Sequence, residues 1–392
     1  MKPVFLYVIA SFLLALVFVA GILVYVESQP DLKAPDIFFG IDAAYDNMTA
    51  LKQRVDQVRS FTNFFIVGSY GVTFNKTRVD DLCQYLYDRG LSFAVFAHTN
   101  RDSDMPINQS EWSIFAEQKW GNRFEGLYCY DEPGGHQVDR DPVFSVVWSA
   151  DNYSDAAGKF VTKLRGDALL DFLPLNATLL TSDYALYDFD YKGGYDLVLA
   201  ELAWNHSRPI NIALARGAAT AAGKDWGVML TYTYTKEPYL APGQQIYEDL
   251  VLAYKNGAKY LVVFDYAKDP ATNATYGILQ PDHLDAMQRF WDYAKQNPRP
   301  TETSQRVAYV LPTDYAYGFR GPADSIWGLW EPDQLSSRVW SDANALTSQY
   351  GNNLDVIYED ALQSHAYNYS RLIFWNGTTK PYGGLEESAY SK

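Results

Sequence analysis

The sequence predicts an α/β protein: a (β/α)8 barrel, preceded by an N-terminal transmembrane helix and followed by a small C-terminal α/β appendage. Three observations carry that expectation. An uncharged apolar run fills residues 4–26. Over residues 36–296, eight short apolar runs alternate with longer helical patterns, as in βα units around a parallel sheet. After NPRPTETSQ at 297–305, three more apolar runs and one helix pattern fill 306–392, too few strands for an autonomous doubly wound domain.

Taken in order, residues 4–26 read VFLYVIASFLLALVFVAGILVYV, 23 residues without a charge. As a helix this run is roughly 34 Å long, enough for a hydrocarbon layer about 30 Å thick. It exceeds the apolar core of a cleaved signal peptide, although Ala20-Gly21 leaves cleavage open. Lys2 precedes it and Glu27 and Asp31 follow, which places a short cytoplasmic tip at 1–3 and everything after residue 26 outside. The expectation is a single-pass cell-membrane protein with the lipid bilayer as partner, a polar stalk at 27–35 and an extracellular bulk. N-x-S/T acceptors support export: Asn47, Asn75, Asn108, Asn152, Asn176, Asn205, Asn273, Asn368 and Asn376 are nine of the 18 asparagines. Chance would give roughly two, so a glycoprotein is expected.

The barrel strands are expected at 36–41, 62–68, 91–97, 124–130, 177–183, 195–201, 226–232 and 259–265. Helix patterns lie at 48–60, 76–89, 108–120, 153–171, 207–223, 243–256 and 281–295, with room for only a short helix in 184–194. An open doubly wound sheet is the rival, but no GxGxxG or GxxxxGKT turn is present, so nucleotide binding ranks low. The appendage offers strands at 306–312, 354–360 and 371–377 around a helix at 332–349.

Composition narrows the function. The formal charge is -15 with a pI near 4.7, a surface that repels phosphate backbones, so no nucleic-acid partner is expected. Cys83 and Cys129, without CxxC spacing, could form one bridge or stay two buried thiols. Aromatic residues make up 16% of the chain, with 31 Tyr and 10 Trp; they serve core packing or sugar stacking. Five histidines without HExxH and the lack of a GxSxG elbow argue against zinc or acyl-transfer chemistry, and no metal or cofactor is expected.

The substrate face of such a barrel is the C-terminal end of its strands. Asp42 follows strand one, His98 strand three, and Asp131 and Glu132 strand four. Asp183, Glu201 and Asp265 end strands five, six and eight, while Tyr232 and Tyr234 come off strand seven. Glu132 stands in YCYDEPGG, where Pro133 is expected to hold it extended and two glycines let the loop turn away. Glu201, in LVLAELAW, ends an apolar strand three residues before Trp204, whose neighbourhood disfavours an unpaired charge. Glycoside hydrolysis needs two carboxyl groups flanking the bond. Glu132 is the candidate acid/base and Glu201 the candidate nucleophile or water-activating base, with Asp131, Asp183 and Asp265 as alternatives. Asp42, Tyr130, Trp204, Tyr232 and Tyr234 are candidate substrate contacts, and Arg216 a candidate carboxylate brace. The bland alternative for each acid is a hydrogen-bonded strand terminator.

With YCYDEPGG (128–135), ELAWN (201–205), DWGVMLTYTY (225–234), GAKYLVVFDY (257–266) and YGILQPDHLDAMQRFWDY (276–293), the chain resembles a TIM-barrel glycoside hydrolase. It is nearest in look to the thermostable-type beta-galactosidase group, whose accessory domain lies where 306 onward does. The resemblance implies an Asn-Glu acid/base motif ending strand four and a nucleophilic Glu ending strand seven. Here Asp131 replaces the Asn, and strand seven ends in Thr231-Tyr232-Thr233-Tyr234, with Glu237 further out. Two readings stay open. One is a membrane-anchored extracellular glycoside hydrolase acting on an oligosaccharide through two carboxyls 5–10 Å apart in an open cleft. The other is a catalytically divergent surface or glycan-binding protein, of archaeal or eukaryotic type and able to self-associate, whose carboxyls are separated, salt-bridged or covered.

Overall fold

The structure, a computed structural model, describes residues 35–98, 107–266, 277–299, 306–362 and 369–381. The expected membrane span at 4–26 lies outside them. Among the described residues no helix is long and apolar enough to cross a membrane. The longest of them, Gln334–Tyr350, has 17 residues and buries only Ser336, Val339 and Ala343, whereas a span needs about 20 apolar residues in a row. Among the described residues nothing carries the single-pass topology, its bilayer partner or the cell-membrane placement.

Eight parallel strands close into a barrel: β1 (Phe38–Ala44), β2 (Phe64–Val67), β3 (Ser92–Ala97), β4 (Phe124–Cys129), β5 (Thr178–Asp183), β6 (Leu197–Glu201), β7 (Asp225–Leu230) and β8 (Tyr260–Tyr266). Closure is made by β8 against β1, in register from Phe38↔Tyr260 to Ala44↔Tyr266. The strands read as continuous apolar runs because both faces are buried. Phe64 and Ile66 of β2 fill the barrel interior with Leu180, Leu197, Leu199, Met229 and Val262, while Phe65 and Val67 pack on the helices. This two-residue period decides what reaches the mouth. In phase with the interior set are Asp42, Gly68, Tyr128, Ser182 and Glu201. Asp183 and Asp265 are one residue out of phase and face the helix layer.

The helices between strands start where the sequence supplies a cap. Four begin at acceptor-site asparagines: Asn47, Asn75, Asn108 and Asn152 each accept a backbone N–H, from Ala50, Arg78, Glu111 and Asp155 respectively. Asparagine is among the best N-caps, so part of the acceptor-site excess has a folding cause. Asn75, Asn108, Asn152, Asn176, Asn205 and Asn376 are exposed and Asn47 half-buried, whereas Asn273 and Asn368 lie outside the described residues.

Beyond the barrel, β9 (Arg306–Leu311), β10 (Leu354–Tyr358), β11 (Tyr369–Phe374) and β12 (Thr379–Pro381) form a sheet in the order β10-β9-β11-β12. The edge strand β12 is antiparallel and was not expected. Arg216, proposed as a site brace, instead docks this sheet on the barrel. Buried on helix Arg208–Ala222, it donates to Asp355 Oδ1 at 2.6 Å, Asn256 Oδ1 at 2.6 Å and the Leu354 carbonyl at 2.7 Å. Gly217 lets the Val356 carbonyl come close: a Cβ there would sit 2.2 Å from that oxygen. The possible disulfide is not formed. Cys83 and Cys129 are free and buried, and burial pushes both thiols up.

Candidate functional site

The carboxyls expected to face each other across a cleft are close neighbours instead. Glu201, in phase with the interior, is 3% exposed, and its Oε1 accepts from Ser182 Oγ at 2.6 Å. No N–H or hydroxyl reaches its Oε2. The Glu132 carboxyl is a close neighbour that shifts its ionisation and is shifted by it, and two carboxyls that close are costly to ionise together. Burial and the other acids at the strand ends push both groups above the usual carboxylate range, Glu132 most. Glu132 arrives by an unexpected backbone route. Pro133 does not hold it extended; its φ of 51° is left-handed, and it caps the short helix Pro133–Asp139. Pro133 disfavours the right-handed region for its predecessor, and here the left-handed well is occupied.

Asp183 and Asp265 are not substrate contacts but braces on the helix side of the sheet. Asp183 accepts N–H bonds from Gly134 at 2.6 Å, Gly135 at 2.7 Å, Tyr184 at 2.7 Å and Ala185 at 3.1 Å. It thereby pins the turn that carries Glu132. A Cβ on Gly135 would meet the Tyr184 ring at 2.3 Å, which explains the glycine. Burial pushes Asp183 up, and burial together with the Asp183 charge pushes the equally buried Asp190 well up. Asp265 takes Arg54 Nε at 2.8 Å, the Tyr45 hydroxyl at 3.1 Å and the Ile278 and Leu279 amides at 2.7 and 3.2 Å. Neither aspartate has spare acceptor capacity for a ligand.

An opening does exist in the mouth, displaced toward β1 and β2. A cavity of about 390 Å³ is lined by Asp42, Asp131, Ser69 and the rings of Tyr70, Phe96 and Tyr266, among others. Asp131 is held by the Tyr128 hydroxyl and lies 3.2 Å from Ser182 Oγ. Asp42 is 3% exposed, and no donor reaches its Oδ1. Burial first, then the Asp131, Asp265 and Glu201 carboxylates, push it well up. Tyr70, 55% exposed, sits 4.6 Å from Phe96 ring to ring, and Phe264 and Tyr266 stack at 5.6 Å. Segment 68–74, GSYGVTF, delivers Gly68, Ser69 and Tyr70 and carries no charged side chain to mark it in the sequence.

The remaining aromatic candidates disperse. Trp204 and Tyr234 line a second hollow of about 560 Å³ with Asn205 and Arg208, outside the barrel axis. Trp204 meets Tyr184 edge-on at 5.4 Å. Tyr232 packs edge-on against Phe264 at 5.6 Å. Tyr130 points away, its hydroxyl donating to the Phe144 carbonyl at 2.8 Å. A hollow of about 650 Å³ at the opposite end of the barrel, lined by Phe38, Arg123, Glu125 and Asn176, is remote from every paired carboxyl. The mouth is the better site, because interior phase and convergent loops meet there.

Known structures agree with this architecture. The fold is a TIM barrel that resembles those of several glycoside hydrolases. A GH5_18 structure from Bifidobacterium longum subsp. infantis matches at TM-score 0.51 with 12% identity, over 88% of this chain and 98% of that one. A second GH5_18, from Bifidobacterium longum subsp. longum, matches at 0.51 and 12%, over 88% and 99%. A polyextremophilic beta-galactosidase from the Antarctic haloarchaeon Halorubrum lacusprofundi matches at 0.56 and 10%, over 86% and 69%. These likenesses concern the fold. No protein-family model matches the chain, and no curated protein matches it.

Proposed function

We propose that the chain binds carbohydrate in the aromatic mouth of a glycosidase-like barrel and does not hydrolyse it. The observation that carries this reading is the closed setting of the acid pair: Glu201 is 3% exposed, its Oε1 is taken by Ser182, and Glu132 is its close neighbour. A sugar bond must lie between the two carboxyls, about 5–9.5 Å apart, in either stereochemical route. A buried, closely paired set of carboxyls does not flank such a bond, and β7 ends in Leu230 followed by Thr231, without a replacement acid. The adjacent cavity supports binding. Its volume falls in the range of small-ligand sites, about 300–1,000 Å³, and rings with polar tips suit a sugar face and its hydroxyls. The exposed acceptor asparagines fit a protein that is itself glycosylated; a mass drop on enzymatic deglycosylation tests that part.

The direct test exposes the purified chain to a panel of oligosaccharides, with binding read by calorimetry and cleavage by new reducing ends. Binding without cleavage is expected. Cleavage that disappears in Glu132→Gln would overturn the reading and restore a two-carboxylate enzyme.

A further inference from the structure

The mouth cavity has a chemical bias beyond its aromatic lining. Three aspartates border it, Asp42, Asp46 and Asp131, and among the described lining residues there is no Lys, Arg or His. Two of the three are already engaged. Asp46 accepts from the Ser69 hydroxyl and from the Gly71 amide at 3.1 Å; Asp131 is held by Tyr128 and Ser182. Two arginines stand behind the wall, and both are engaged: Arg54 is tied to Asp265, and Arg78 donates to the Asp46 and Gly71 carbonyls. Asp42 differs from its neighbours. It stands in the interior phase at the top of β1, almost fully buried, with no donor on Oδ1. Gly68 faces it so closely that a Cβ there would lie 2.2 Å from that oxygen. A buried acceptor left without a donor costs about 1–3 kcal/mol, so a ligand that brings a donor would recover that cost.

We infer that this cavity selects a sugar bearing a protonated primary amine, an amino-hexose unit, with its ammonium on Asp42 and its ring against the Tyr70 and Tyr266 side. The inference rests on the carbohydrate-binding reading and names the sugar class. A fixed cation answers the Asp42 carboxylate and is attracted to tyrosine faces. An N-acetylated ring offers only a neutral amide at that point, and a uronate meets like charge. Burial and its acidic neighbours push Asp42 well up in the free protein, and an ammonium docked on it favours the ionised form.

Calorimetry on the full chain at about pH 6, where an amine is charged and an ordinary carboxyl ionised, tests this with four probes. They are a glucosamine tetramer, its N-acetylated counterpart, a galacturonate tetramer and spermine. The glucosamine tetramer should bind about tenfold or more tighter than the acetylated one, and Asp42→Asn should collapse that ratio. Equal affinities for the two tetramers would overturn the amine inference and leave the carbohydrate reading standing. Spermine binding while no sugar binds would overturn both. Should Asp42→Asn fail to fold, Gly68→Ala, which would crowd the Asp42 carboxyl, decides: it should lower the preference for the glucosamine tetramer over the acetylated one, and an unchanged preference would refute the role of Asp42.

Discussion

Two kinds of acid end the barrel strands, and one residue of phase separates them. Asp183 and Asp265 face the helix layer, where backbone amides and an arginine surround them. Glu201 and Asp42 face the barrel axis, where one neighbours another carboxyl and the other has no donor on its Oδ1. The outward pair stabilises the fold; the inward pair is a cost that folding elsewhere offsets. Groups kept at a cost, in a concave place, are where binding is to be sought.

That contrast can be broken at either end. The largest effect is expected from Asp265→Ala, which leaves Arg54 without its buried partner and two amides without an acceptor. A loss of about 3–5 kcal/mol in urea unfolding is the expected scale for breaking a buried ion pair. Asp183→Asn should cost less, about 1–3 kcal/mol, because one oxygen still accepts while the other becomes a donor facing the Gly134 or Gly135 amide. Glu201→Gln should go the other way. An amide removes one of two acids that are costly to ionise together, so stability at neutral pH should be unchanged or raised by up to about 1 kcal/mol.

The smallest and broadest effect is on pH dependence. Glu132 and Glu201 hold their protons in the fold to higher pH than an unfolded glutamate, which ionises near about 4.3. Above that value the native state binds more protons than the unfolded one, so their contribution to stability falls as pH rises toward and through neutrality. Unfolding midpoints measured from acid to mildly alkaline pH should decline, and Glu201→Gln should flatten the decline.

The barrel was legible in the sequence because each strand, buried on both sides, is a continuous apolar run, and because helix-length polar patterns separate them. Edge strand β12 was not, since its TKP carries no apolar signal. The acids at the strand ends were legible as a set. Sorting them needed the interior phase, which Phe64 and Ile66 against Phe65 and Val67 define once the barrel closes. Arg216 could not be read, because its partners Asp355 and Leu354 lie 139 and 138 residues away in sequence. Glu132 was legible as an acid at the end of strand four, yet its left-handed backbone and its pairing with Glu201 depend on tertiary packing. The acceptor asparagines carried two meanings at once, modification and helix capping, and spacing alone does not separate them.

Carbon-13 titration of the glutamate carboxyls, with Glu132 and Glu201 assigned through their Gln variants, reads the ionisation of the pair itself. One carboxyl of the two should remain protonated from about pH 5 to neutrality, far above the ordinary glutamate value near about 4.3. Two independent carboxyls, both ionised by about pH 5, would contradict the account and reopen the space between them to a glycosidic bond.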